Sequence, residues 1–286
     1  MPHLNREILH HYRSKTFRWQ TWFRLHFERD AIRFVKERGF IFFWPVKDAL
    51  LPSLWSAVAG DRPVPDNHDD PAHITWRWKD RLLGSGKWYY ARILHKRNTI
   101  LSLGCLPYFY ALSPNFGDPD NDYLVLYQQG LLSMEAKAVY ETLLREGPLN
   151  SLVLRRKSNL STKVNNSRFN RALEILQRDF RILPVGIAEA GTWNYAFIYD
   201  VFQRHFPEII DTSGKIKAGE ARESLLNHYF LSVGACRLTD ARRIFGWKEN
   251  EMTQTLQHLA EKGTISKGKF MQGDEQEWWA LNSLLI

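Results

Sequence analysis

Apolar residues recur along this chain at helical spacing, broken by short extended runs and by clusters of Gly, Pro, Asn and Asp. Phe169, Leu173, Leu176 and Phe180 follow one another at steps of four, three and four, so they share one face of a helix over Ser167–Phe180. Arg168, Arg171 and Arg178 fall on its other side. A polar basic turn, Arg155–Asn166, precedes the helix. A strand (Ile182–Ile187), a small-residue turn (Ala188–Thr192) and a second strand (Trp193–Tyr199) follow it. Upstream, Ser133 starts a helix with Ala136, Val139, Tyr140, Leu143 and Leu144 inward, ended by Gly147-Pro148.

This plan recurs. Ala221, Leu225 and Tyr229 mark a helix stopped near Gly234. Leu238–Phe245 and Asn250–Lys262 read as two more helices, with Met252, Leu256 and Leu259 inward. Ile265–Phe270 and Glu277–Leu281 form a hairpin across Met271–Asp274. Aligning Gly147 with Gly234, and Leu173/Leu176 with Leu256/Leu259, superposes two copies of helix–helix–helix–hairpin, and an internal repeat is stronger than either copy alone. Three helices closed by a hairpin, the third helix basic, is the order of a winged helix, whose last helix enters the DNA major groove while the hairpin flanks it.

The first part of the chain is less regular. Trp19, Trp22, Phe23 and Phe27 suit an amphipathic helix with its aromatic face on the body, or a basic arm on nucleic acid. Asp30 caps a helix through Arg38, with Ile32, Phe34 and Val35 inward and Gly39 as its stop. Phe40–Trp44 is a buried strand ended by Pro45, and a helix spans Leu51–Ala59. Gly60–Ala72 is a loop. Trp76–Asp80 and Lys87–Arg92 flank Gly84-Ser85-Gly86, and the second run can alternate aromatic and basic faces as a strand. Thr99–Leu103 is another strand, and Tyr108-Phe109-Tyr110 a further aromatic patch. Pro114–Asp122 and Phe206–Lys217 read as linkers. The expected fold is mainly α with small β-hairpins (α+β): three winged-helix-like units in series. The boundaries give an aromatic-rich domain over 1–122, a basic winged helix over 123–210 and a C-terminal one over 211–286.

Charge sharpens the picture. The 286 residues carry a net charge of +8 and an isoelectric point near 9.4, which favours an anionic partner. The excess is local. Residues 148–181 hold eight Lys/Arg against Glu174 and Asp179, and residues 1–48 hold ten against five carboxylates. Each phosphate contact releases condensed counterions, so a local surplus is what nucleic acid demands. Arg155, Arg156, Lys157, Lys163, Asn165, Asn166, Arg168 and Arg171 are therefore the candidate DNA-contacting residues, with Trp193 on the wing. The third helix of the C-terminal copy, with Glu249, Glu251 and Glu261 among its charges, is expected to pack and not to grip.

Candidate chemistry is sparse. Cys105 and Cys236 are far apart in apolar surroundings and read as core residues, without a disulfide framework. His68-Asp69-Asp70 and His73 fit no standard metal spacing and read as a capped loop, so no metal and no cofactor is expected. No apolar run is long enough to span a bilayer, and no leader pattern opens the chain; the expectation is a cytoplasmic, nucleoid-associated protein. No phosphate-binding glycine loop or hydrolase motif occurs. Asp48, Asp69, Asp70 and Asp80 lie near aromatics, where a carboxylate can orient water against a glycosidic bond; the first expectation for each is a helix cap or a surface ion pair. Phe42, Trp44, Trp78 and Trp88 form a candidate base pocket, or a core.

Several of these runs also carry a family resemblance. Gly39–Ala57, the Trp76–Asp80 and Trp88–Arg92 patches, the basic winged helix, and Glu220-Ala221-Arg222 through Tyr229–Ala235 with Asp240 resemble the winged-helix family of bacterial interstrand-crosslink DNA glycosylases, AlkZ and YcaQ. The shorter AlkZ-related proteins are the nearer likeness, which covers most of residues 30–270. It implies tandem winged helices on double-stranded DNA, undamaged or damaged, and repair of alkylated or crosslinked bases by hydrolysis of the N-glycosidic bond or by lesion binding. That family carries a catalytic Gln-aliphatic-Gln or Gln-aliphatic-Asp motif where this chain reads Phe40-Ile41-Phe42-Phe43-Trp44, so no catalytic residue is carried over and the enzyme question stays open. The other reading is a non-enzymatic winged-helix transcription regulator or DNA-binding scaffold.

Overall fold

The periodic stretches fold as helices and the extended runs as short strands in a computed structural model that describes residues 3–66, 69–115, 117–118, 120–191, 194–271 and 274–286. In chain order, α1 (Arg6–Thr16) and α2 (Glu28–Arg38) lead into β1 (Phe40–Phe42), α3 (Leu54–Ala59), α4 (Ile74–Leu82), β2 (Tyr89–Arg92) and β3 (Asn98–Leu101). Next come α5 (Leu106–Ala111), α6 (Asp122–Gln128), α7 (Met134–Glu146), β4 (Leu149–Asn150), α8 (Ser151–Lys157), α9 (Asn166–Arg178), β5 (Ile182–Ala188) and β6 (Ala196–Val201). The chain continues through α10 (Phe202–His205), α11 (Pro207–Ser213), α12 (Ala218–Val233), β7 (Ala235–Cys236), α13 (Leu238–Phe245), α14 (Glu249–Glu261), β8 (Ile265–Gly268) and β9 (Trp278–Leu281). The class is α+β, with small three-stranded antiparallel sheets. Two units divide the chain. The first joins Met1–Trp76, Ile100–Cys105 and Lys217–Ile286; the second joins Arg77–Thr99 and Leu106–Ile216.

In the second unit the order α7, β4, α8, α9, β5, β6 closes a sheet of order β4-β6-β5. Local chemistry sets the element ends. The Ser133 hydroxyl accepts the Ala136 N–H at 3.2 Å, and the Asn150 side chain accepts those of Leu152 and Val153 at 3.1 and 3.0 Å. β5 pairs with β6 from Ile182↔Val201 to Ala188↔Ala196, with a bulge at Val185. The core gathers Ala136, Val139, Tyr140 and Leu143 of α7, Leu154 of α8, and Phe169, Leu173 and Leu176 of α9. Leu176 is fully enclosed; truncating such a leucine costs about 2–5 kcal/mol.

The first unit repeats that order as α12, β7, α13, α14, β8, β9, with a sheet of order β7-β9-β8. Leu256 and Leu259 are buried, as are Leu173 and Leu176 in the aligned copy. The last carbonyls of α12 have no partner within their own helix. They are taken up by α1 and α2: Tyr12 and Arg38 donate to Leu231 O, Thr16 to Ser232 O and Arg13 to Val233 O, and Arg13 also reaches Ala235 O at the start of β7, all between 2.7 and 3.0 Å.

Several expectations change. Trp19–Phe27 is not an amphipathic helix on the body. α1 ends at Thr16, Arg18 turns to φ 64°, only a single turn of 3-10 helix forms at Thr21–Phe23, and Trp22 and Phe27 remain 75% and 58% exposed. Asp30 is not the cap residue of α2 but the third residue of the helix, its carboxylate accepting the Phe27 N–H at 3.2 Å. Phe206–Lys217 is not a bare linker. Pro207, pre-set for a first helical turn, starts α11, and Ile209 is buried. β2 does not alternate faces, because Tyr89, Tyr90 and Ala91 are all buried. Cys105 and Cys236 are free and buried, as expected; burial pushes the Cys105 thiol up to about 11 and Cys236 higher still.

Candidate nucleic-acid interface

α9 runs for 13 residues and buries Phe169, Ala172, Leu173, Leu176 and Gln177 along one stripe. That stripe fixes which way the rest of the helix points. Asn166, Ser167, Arg168, Asn170 and Arg171, all in the first two turns, are exposed. The preceding Asn165 makes no side-chain cap bond, so the N–H groups of the first turn have no side-chain partner there. A helix start of this kind attracts anions. Further along, Glu174 pairs with Lys96 at 3.0 Å and Gln177 accepts the Arg92 N–H at 3.2 Å. The C-terminal half of α9 is thus engaged within the unit, while the N-terminal half is presented.

The cations of this region divide into three groups. Arg181 is interior: it is 0% exposed, bonded to Asp122 at 2.6 Å, and stacked over the Tyr140 ring at 5.6 Å. Arg181 therefore adds nothing to the surface surplus of residues 148–181, since burial forces a charge to find an opposite charge. Arg155 is structural too. Its Nε donates to Leu160 O at 2.8 Å and its Nη2 to Thr162 O at 2.8 Å, so it clamps the turn between α8 and α9. Lys157 pairs with Glu146, Arg178 with Asp179 at 2.8 Å, and Arg168 loosely with Glu135 at 3.5 Å. Arg156, Lys163 and Arg171 are exposed, and their side chains make no hydrogen bond or ion pair with any described residue. The structure therefore brings Lys163, Asn166, Arg168 and Arg171 together around the start of α9, with Asn165 half-buried beside them and Arg156 exposed on α8. Trp193 lies outside the described residues.

Two residues here escaped the sequence reading. Asn170, one turn beyond Asn166, shares the exposed start of the helix, and its helical spacing was the available signal. Val164, 79% exposed, stands at the tip of the turn; a β-branched apolar residue in a polar turn was its mark.

The matching helix of the first unit differs. Glu249 pairs with Arg242 at 2.6 Å, Glu251 with Arg222, and Glu223 takes both Lys262 and His258. Its charges are spent within the unit.

Three of the four aromatic residues considered for a base pocket are buried: Phe42 is 0% exposed, Trp78 4% and Trp88 2%. Trp44 alone of the four is half-buried, edge-on to Trp76 at 5.8 Å and to His73 at 5.9 Å. Of the carboxylates weighed for chemistry, Asp70 accepts from Arg62 at 2.7 Å and from the Ala72 N–H at 2.9 Å, and the Arg62 bond holds it below the usual carboxylate range. Asp80 pairs with Lys79 at 2.7 Å. His68 lies outside the described residues, and among the described residues no His, Cys, Asp and Glu cluster suits a metal. Among the described residues no helix is long and apolar enough to cross a membrane.

These features define an α+β protein built on a repeated helix–strand–helix–helix–strand–strand plan, one copy of which presents a basic helix start. The chain matches the AlkZ-related family over residues 25–246 and belongs to that family. Its fold is similar to that of the Streptomyces sahachiroi DNA glycosylase AlkZ, with a TM-score of 0.59 and 10% identity over 96% of this chain and 69% of that one. At this identity the likeness is one of fold. No curated protein is significantly similar in sequence.

Proposed function

We propose that this protein binds double-stranded DNA in the repair of alkylated or crosslinked bases. On this reading α7–β6 is a winged helix, the first turns of α9 enter the major groove and the β5–β6 loop, with Trp193, is the wing. The C-terminal copy of the same order is a second winged helix, and residues 1–122 a third such unit. One observation carries the reading: Arg156, Lys163 and Arg171, unpaired among the described residues, stand with Asn166, Arg168 and Asn170 on exposed surface at and beside a helix start. Arginine and asparagine are the side chains that read guanine and adenine edges, and lysine neutralises phosphate. Family membership and the AlkZ-like fold support the link to base repair.

Whether a base is excised is a separate question. Phe40, Ile41, Phe42 and Phe43 are wholly buried and offer no amide or carboxylate, which favours lesion binding without hydrolysis or a regulatory role. Trp44, with Trp76 and His73 against it, remains the surface on which an extruded base would stack. The test is an assay on duplex carrying an alkylated or crosslinked base, scored for abasic product and for binding beside undamaged duplex. Abasic product supports the glycosylase; lesion preference without product supports a binding role. Preference for one undamaged sequence, or no binding to any duplex, overturns the repair reading.

A further inference from the structure

Away from α9, in the first unit, a pocket of about 360 Å³ opens beside the loop that follows α3. Arg24, His26 and Arg62 line it, over an apolar wall that includes Val58, Ala59 and Ile74. Arg62 is already engaged, with Asp70 at 2.7 Å and Ala59 O at 3.3 Å, and it lies over the Trp55 ring at 4.9 Å. Arg24 is not. Its guanidinium makes no hydrogen bond or ion pair with any described residue, and its Nε is buried. A buried donor left unmatched is costly unless something external completes it.

The pocket is built around that guanidinium. Gly60, at φ 84°, lies beneath it, and a Cβ there would stand 2.9 Å from Arg24 Cζ. The positive φ is what favours glycine here, since the Arg24 guanidinium, at the end of a flexible side chain, can give way to a Cβ. The carboxylate of Asp70, next in the chain to the lining residue Pro71, is paired with Arg62, and Arg24 has no ion pair with any described residue. Flanking it in the chain are Trp22 and Phe27, 75% and 58% exposed. An unpaired guanidinium with exposed aromatic residues two and three positions away in the chain matches the two needs of a nucleotide strand, a phosphate partner and a base-stacking surface.

We infer that the Arg24 pocket is a phosphate site, and that it receives a backbone phosphate of the nucleic acid. This rests on the DNA-binding reading and adds a contact made by the first unit, independent of α9.

The experiment uses the full chain. Duplex affinity is measured as a function of salt for the unsubstituted protein, Arg24→Gln, Arg24→Lys, Arg171→Gln and the double Gln variant. In parallel, the arginine Nε–H resonances are followed while inorganic phosphate is added, and unfolding curves check that each variant folds. Arg24→Gln should lower the slope of log affinity against log salt by about 1, the double variant by about 2, and Arg24→Lys should keep most of it. One Nε–H resonance, missing in Arg24→Gln, should move with phosphate. If Arg24→Gln leaves the slope intact while Arg171→Gln lowers it, the pocket proposal is overturned and the DNA reading stands. If the unsubstituted chain binds no duplex, the DNA reading fails. The phosphate titration then decides: a shift that depends on Arg24 supports an anion site, and no shift overturns it.

Discussion

The Lys79 ammonium donates to the Tyr195 hydroxyl at 2.6 Å inside the second unit, and Tyr195 donates in turn to Asp80 at 2.8 Å. Lys79 also pairs with Asp80 at 2.7 Å and lies over the Phe197 ring at 4.7 Å, its side chain only 1% exposed. A residue of α4 thus pins the chain where it enters β6, at one end of the β5–β6 loop. Burial holds the Lys79 ammonium below its ordinary range, with Asp80 pulling it partly back. Below its ordinary value, the unfolded chain then carries more bound protons than the folded one. Stability should rise with pH as Lys79 sheds its proton, up to the ordinary lysine range. Lys79→Met should remove that alkaline rise. It should also cost about 1–3 kcal/mol at neutral pH, since Asp80 and Tyr195 lose a charged donor. Denaturant unfolding at a series of pH values checks both.

Arg168→Ala with Arg171→Ala should lower the salt slope of duplex binding by about 2, and weaken binding at low salt, without shifting the unfolding midpoint by more than a degree or two. Both side chains are exposed and neither holds the core. Lys248→Ala at the start of α14 should leave the slope where it was. Equal effects from the two helices would mean that binding follows net charge and not the α9 surface.

Asp122→Asn should destabilise the second unit by about 3–5 kcal/mol, because it strands Arg181 at 0% exposure without its counter-ion. The salt slope of the folded fraction should not change, since Arg181 cannot reach a phosphate. A change in slope would show that this cation takes part in binding.

Gly84 sits at φ 66°, and a Cβ there would stand 2.7 Å from the Val185 carbonyl oxygen at the bulge of β5. Gly84→Ala should cost about 1–3 kcal/mol, and more than Gly86→Ala, where the φ is similar but the space is open. Comparing the two alanine variants by thermal unfolding separates the close approach from backbone strain alone.

Much of this protein was legible along the chain. The spacing of Phe169, Leu173 and Leu176 alone implied which side of α9 faces inward, because an apolar stripe can be satisfied in only one orientation. Ser133, Gly147 and Gly234 marked helix ends by chemistry that acts within a few residues. The match of Leu173/Leu176 with Leu256/Leu259 exposed the repeated plan for the same reason. Family likeness was legible too, in short runs such as Tyr229–Ala235.

What the sequence could not assign was the use of each charge. Arg155, Arg171 and Arg181 are the same residue type within one basic segment, yet one clamps a turn, one is open to solvent and one is buried against Asp122. Asp122 is 59 positions away from Arg181, and Tyr195 is 116 from Lys79. No local pattern encodes such pairings. Likewise Trp44, Trp78 and Trp88 looked equivalent until burial closed two of them. Periodicity settles which face of an element is apolar, because that is a property of neighbours in the chain. Which polar group is left without a partner depends on every residue the fold brings near it, and so only the tertiary structure decided it.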